Sequence, residues 1–177
     1  MAALTAWKLL NEDPARPGRT DPNRRTANYF MEEFTLTLMD QKGLPLYRLA
    51  GTHMVHYPDN DTVEVTAPHA VFYRQDTPHW EVVAEQGLTN SQGDEIYLLG
   101  EVVIRQFGAD AKTNKMKIFT QDMRVEPWAK YAETNQPITL LNSFGKTHAI
   151  GAQVYLKEER IELLSQVRGD YEPTPRP

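Results

Sequence analysis

The chain contains no cysteine in its 177 residues, which excludes disulfides, thiolate metal centres and cysteine nucleophiles together. It also lacks a long apolar run. The one apolar opening, Ala2–Leu10 with Lys8 inside it, falls far short of the ~20 residues that span a bilayer. It reads as a short amphipathic segment or as the last turns of a membrane segment. A basic excess is missing too, since 19 lysines and arginines stand against 24 carboxylates for a net charge of −5. Neutralising nucleic-acid phosphates needs that excess, so neither nucleic acid nor any other polyanion is expected as a partner from net charge. Helix signals are nearly absent: after Tyr29 no stretch sustains an i, i+3, i+4, i+7 apolar spacing behind a cap.

What is present is alternation. A unit recurs in which an apolar residue (Met54, Leu88, Met123, Val154) leads through a polar turn into an alternating strand. Those strands are Val63-Glu64-Val65, Ile96-Tyr97-Leu98, Ile138-Thr139-Leu140 and Ile161-Glu162-Leu163. Side chains at every second strand position share one face, so each unit predicts a hairpin with one apolar and one wet side. Their spacing of 33, 42 and 23 residues is too uneven for a solenoid or propeller.

Ahead of these, Phe34-Thr35-Leu36-Thr37-Leu38 and Leu46-Tyr47-Arg48-Leu49 flank the turn Asp40–Gly43, where Gly43 supplies the positive φ of a tight turn. Further turns are expected at Pro58–Asp61, Ser91–Asp94 and Lys157–Arg160. Residues 1–28 are expected to be a membrane-proximal segment and a Pro-rich linker, 29–171 one domain, and 172–177, with Pro173, Pro175 and Pro177, a disordered tail. One domain of this size buries roughly 70% of its unfolded surface.

No catalytic or metal constellation emerges. His53 and His56, three apart on a strand, point to opposite faces, while His69, His79 and His148 are scattered among expected turns. Asp59-Asn60-Asp61 lacks the glycine and distal glutamate of a calcium loop. Ser91, Ser143 and Ser165 have no G-x-S-x-G context, and the pairs Glu32-Glu33 and Glu158-Glu159 are adjacent and therefore diverge. Gly100, Gly145 and Gly151 are isolated glycines at expected strand ends, where bends or bulges explain them. No metal, no cofactor and no enzyme activity are expected.

The apolar face, running from Phe34, Leu36 and Leu38 through Val65, Val102, Ile104 and Leu140 to Leu163, has two readings. Either it is the filled core of a sandwich, or two sheets splay and it lines a groove for acyl chains at ~0.8 kcal/mol per buried methylene. Periodicity does not separate the two.

In order and spacing the chain resembles the LptC family over Tyr29–Tyr171. The resemblance is carried by Tyr29-Phe30-Met31, Phe34-Thr35-Leu36, Gly43 with Tyr47-Arg48-Leu49, and Met54-Val55-His56-Tyr57. It continues through Thr66-Ala67-Pro68, Pro78-His79-Trp80-Glu81-Val82, Ala84-Glu85-Gln86-Gly87, Leu99-Gly100-Glu101-Val102, Thr120 and Val167-Arg168-Gly169-Asp170-Tyr171. It implies an all-β, twisted, partly open β-jellyroll of antiparallel hairpins around an apolar groove. It also implies a periplasmic lipopolysaccharide carrier anchored to the inner membrane by an N-terminal helix, of which only Ala2–Leu10 remains here.

Phe34, Leu36, Leu38, Val65, Ile96, Leu98, Ile138, Ile161, Leu163 and Tyr171 are the expected groove residues. By the same resemblance the edge at Phe34, Leu36 and Leu38 would meet LptF and LptG of the LptBFG transporter, and the edge at Val167 and Tyr171 would meet LptA. Two other classes fit the alternation: a carbohydrate-binding sandwich using Trp80, Trp128 and Tyr131 as platforms, and an interaction module with a filled, dry core.

Overall fold

Alternation without helix signals leaves the strand as the only way to satisfy the backbone, and the computed structural model is a single antiparallel sheet of ten strands. It describes residues 25–108, 113–158 and 160–171; most of the expected N-terminal segment and the whole tail lie outside these. The strands are β1 (Tyr29–Met39), β2 (Pro45–Tyr57), β3 (Thr62–Thr66), β4 (His69–Arg74), β5 (Thr77–Asn90), β6 (Ile96–Phe107), β7 (Asn114–Glu126), β8 (Tyr131–Asn142), β9 (Gly145–Tyr155) and β10 (Arg160–Tyr171). Sheet order follows chain order, except that β3 and β4 lie end to end in one position between β2 and β5. Among the described residues β1 pairs only with β2 and β10 only with β9, so both edges of the sheet are open.

Each long strand is two short alternating runs of opposite phase. On β1 the inward residues are Met31 and then Phe34; on β7 they are Met123 and then Thr120; on β9, Ala152 and then Ala149. The phase changes at Glu33, Ala67, Gly100, Asp122 and Gly151, with φ of 44, 50, 76, 40 and 77°. In the pairing register these fall on one line across the sheet. A left-handed residue in a ladder bends the strand and interrupts the pairing, and repeated on successive strands it makes a crease. A crease leaves carbonyls without a ladder partner, and buried ones must be satisfied. The buried hydroxyls do this: Thr134 donates to the carbonyls of Gln121 and Asp122 at 3.0 and 2.9 Å, and Thr120 to that of Pro137 at 3.1 Å. Asp122 closes the line by accepting from the Gly100 amide at 3.0 Å.

The crease divides the sheet into two lobes. The proximal lobe holds the start of β1, the end of β2, β3 and the strand ends near the turns at Pro58–Asp61 and Ser91–Glu95. The distal lobe holds the rest of β1, β4 and the strand ends near Asp40–Leu44. They fold face to face, because Trp80, Gln106 and Met116 of the distal lobe line one cleft with Val154, Leu156 and Ile161 of the proximal lobe. The interior is apolar: Ala84, Leu98, Val102, Met123, Ala132 and Val154 form one cluster, Ile118, Ile138, Ala149 and Ala152 a second, and Phe34, Met54, Val63 and Val65 a third.

Several sequence expectations need correction. The expected unit from Met123 to Ile138 turns at Pro127–Lys130 and returns at Tyr131, well before Ile138. Leu88 pairs with Glu64 and Tyr97, on the face opposite Ile96 and Leu98, because it lies on the proximal side of the crease where the phase differs. Gly100 and Gly151 are mid-strand, and His69, His79 and His148 belong to strands, not turns.

Candidate lipid-binding face

By pairing and alternation all ten expected groove residues point to the inner face, but the fold treats them differently. Val65, Leu98 and Ile138 are buried in the clusters, and Ile96, Ile161 and Leu163 pack partly buried against them. Phe34 is buried under the crease, where its ring fills the space beside Gly51. Beyond Phe34 the same face lies open: Leu36 is 41% and Leu38 47% exposed, with exposed Phe72 packed against Tyr47 beside them at 6.0 Å. Tyr171, at the far end of β10, is 68% exposed. Val167 falls where the β9–β10 ladder is interrupted, between Ser165 and Arg168. The ten thus share a face without forming one cavity.

At the mouth between the lobes lies a cleft of 60 Å³ whose floor is Trp80, Met116, Val154, Leu156 and Ile161, with Lys115, Arg160 and Gln106 on the same wall. A small-ligand pocket needs ~300–1,000 Å³. This cleft as it stands is too small to hold an acyl chain.

Two polar networks brace the proximal lobe. His56, buried at the start of the β1–β2 ladder, sits between Asn28 Oδ1 (2.7 Å) and Asp61 Oδ1 (3.0 Å) and stacks on Tyr29 at 5.0 Å. Ser91 donates to Asp61 at 3.0 Å, and the hydrogen bonds from His56 and Ser91 hold the Asp61 carboxyl below its ordinary value. On the outer face Arg124 donates to Glu95 at 2.8 Å, Glu126 at 2.5 Å and Glu133 at 2.7 Å. Tyr131 donates to Glu133 at 2.7 Å. Tyr131 and Arg124 together lower Glu133, Arg124 lowers Glu95, and desolvation with the Glu133 bond pushes the Tyr131 hydroxyl up to about 12. In the distal lobe Glu81 is lowered: burial opposes its ionisation, but hydrogen bonds from Arg105 and His69 outweigh it.

These are structural braces, each carboxylate facing a cation, a hydroxyl or an imidazole on the outer surface or at a strand end. Among the described residues no group of three or more His, Asp or Glu is arranged to hold a metal, and no helix is long and apolar enough to cross a membrane. The aromatic platforms of a carbohydrate binder are not assembled. Trp80 lines the cleft, Tyr131 packs edge-on against Tyr155 at 5.4 Å, and Trp128 stands alone on its turn.

A creased, one-layer sheet with an apolar inner face and two open edges matches known architecture. The family described as lipopolysaccharide-assembly, LptC-related, matches residues 1–172. The chain belongs to that family. Among curated proteins none matches. Of solved structures, LptH from Pseudomonas aeruginosa, described as the LptA-homologous periplasmic component of the lipopolysaccharide transport device, aligns with a TM-score of 0.51 at 6% identity. The alignment covers 82% of this chain and 94% of that one, a likeness of fold alone. As an LptC-related protein the chain is a non-catalytic member of the transport machinery, and the resemblance read from residues 29–171 is confirmed at the level of family and fold. What sequence reading missed in this LptC-related sheet is the open corner: Tyr47, opposite Leu38, carries Phe72 onto the face of Leu36 and Leu38, and only the pairing of β4 with β2 places Phe72 there.

Proposed function

We propose that this protein is a periplasmic carrier, anchored at the inner membrane in its full-length form. It receives lipopolysaccharide from LptBFG at the β1 edge and passes it to LptA at the β10 edge. The observation that supports this reading is that Phe34, Leu36, Leu38, Val65, Ile96, Leu98, Ile138, Ile161, Leu163 and Tyr171 share one face of a sheet whose edge strands β1 and β10 each have a single partner among the described residues. Acyl chains gain ~0.8 kcal/mol per methylene withdrawn from water, so a continuous apolar face is a track for them while sugars and phosphates stay wet. Open edges accept a strand from a neighbouring jellyroll, giving a contact that extends and does not close. Lipid enters at Leu36 and Leu38, and the lobes part at the crease to admit it.

Light-activated crosslinkers test the track. Placed at Phe34, Val65, Ile161 and Tyr171 they capture lipopolysaccharide; at Thr37, Glu64 and Glu162 on the outer face they do not. Equal capture from both sets refutes the assignment. Polarity is tested separately: removing 161–177 abolishes LptA binding while the transporter still binds, and Leu36→Pro does the reverse. A folded deletion variant that keeps full LptA affinity ends the head-to-tail reading.

A further inference from the structure

The net charge of −5 conceals a sorting of charge by the crease. Among the described residues the distal lobe carries eight lysines and arginines against five carboxylates, and the proximal lobe five against ten, with Glu33, Glu85 and Asp122 on the crease itself. On the outer faces the sorting keeps the same sense. Arg48, Arg105, Lys117, Lys146 and Arg168 project from the outer face of the distal lobe, each next to an inward residue or paired with an outward one. The carboxylates opposing them there are Glu81, Glu101 and Asp170. Glu81 is committed to Arg105 and His69, whereas Lys117, Lys146 and Arg168 make no ion pair among the described residues. The outer face of the proximal lobe carries Glu32, Glu64, Glu95, Glu126, Glu133 and Glu162 against Arg25, Arg124 and the Glu162-bound Arg160.

We infer that these outer faces are complementary docking surfaces, and that the cationic face of the distal lobe seats on the acidic face of the proximal lobe of a second copy of this chain. One chain carries both halves of the match, so no other partner is needed to account for either. The cations also alternate with the half-buried apolar side chains Val103, Phe119 and Leu141, which gives the contact something to desolvate besides charge. Charge complementarity chiefly sets association rate and orientation, so the contact is strongly salt-dependent. It differs from the edge pairing of the proposed transport role: it uses sheet faces and leaves the backbones of β1 and β10 free, and it stands or falls independently of that role.

Sedimentation velocity on the full chain tests this across a concentration series at about 20 mM salt, where screening extends over roughly 20 Å, and at about 300 mM, where it does not. Reversible association is expected at low salt and a monomer at high salt. Lys117→Glu/Lys146→Glu/Arg168→Glu makes both faces acidic and Glu32→Lys/Glu64→Lys/Glu162→Lys makes both basic; each set alone gives a monomer at low salt. The six changes combined restore complementarity with its sense exchanged, and association returns, which a folding defect would not produce. A wild-type monomer at low salt, failure of the six-fold variant to re-associate while it retains the wild-type melting temperature, or loss of association in Leu36→Pro each overturns the inference. So does association that is unaffected by both face sets while Lys117→Glu/Lys146→Glu/Arg168→Glu abolishes binding to phosphatidylglycerol vesicles, since the distal face would then belong to an anionic bilayer.

Discussion

Ile138 and Leu38 are large aliphatic residues on the same face of the same sheet, yet Ile138 is 2% exposed and Leu38 47%. Around Ile138 the crease brings the proximal lobe over the distal one, and Val102, Ile118 and Ala152 beside it are equally dry. Leu38 lies on the edge strand β1, which among the described residues pairs only with β2, and its side chain stays half exposed. A one-layer sheet has no second layer to guarantee burial. Burial is set by position relative to the crease and the edges, so the middle is closed while the corner at Leu36 and Leu38 stays open.

The largest effect that separates the two regions is on stability. Ile138→Ala leaves a cavity in a closed cluster and is expected to cost about 2–5 kcal/mol, whereas Leu38→Ala at a half-exposed position costs under about 1 kcal/mol. Urea unfolding of the two variants measures it, and lipid crosslinking should show the opposite ranking. Similar losses of stability would mean the corner is as closed as the middle.

A smaller effect separates two glycines of the same conformation, one on an open turn and one in the closed middle. Gly43 has φ 77° with open space where a Cβ would lie; Gly100 has φ 76°, but a Cβ there would lie 2.3 Å from Glu85 Oε2. Alanine at Gly43 meets only the left-handed penalty, on the order of 1–2 kcal/mol. At Gly100 it must also push Glu85 off the crease, so its thermal midpoint should fall further.

The smallest expected effect concerns the charged brace of the proximal lobe. Glu95 and Glu133 are lowered, chiefly through Arg124 and Tyr131. Their contribution is therefore complete above the ordinary carboxylate range and is lost as pH falls through it. Tyr131, raised from 10 to about 12, works in the other direction: the unfolded hydroxyl ionises first, so stability declines as pH rises from about 10 to about 12. Arg124→Gln should flatten the acid limb of melting temperature against pH, while Leu38→Ala in the open corner should leave both limbs unchanged.

Within each lobe alternation was a reliable guide, because the pleat forces it: Phe34, Leu36 and Leu38, or Ile161 and Leu163, need no structure to be placed on one side. The phase change at the crease was not legible. Glycine at 100 and 151 hinted at bends, but Glu33, Ala67 and Asp122 adopt positive φ without any residue that advertises it, and Leu88 was misplaced for that reason. The sorting of charge was equally hidden, since net charge sums residues that the fold separates. Family membership was legible from ordered motifs, which survive where geometry does not show.

The chain enters the sheet through one side chain whose position has mechanical meaning. Arg25 lies over the Tyr57 ring at 3.8 Å and donates to Glu64 at 2.7 Å and to Asn60 at 2.9 Å. A pull on the chain ahead of Arg25 is therefore taken up first by β2 and β3, inside the sheet, and not by the lone edge strand that follows it. The edge strand is spared from being unzipped one bond at a time, and the load is spread as shear over ladders that must break together.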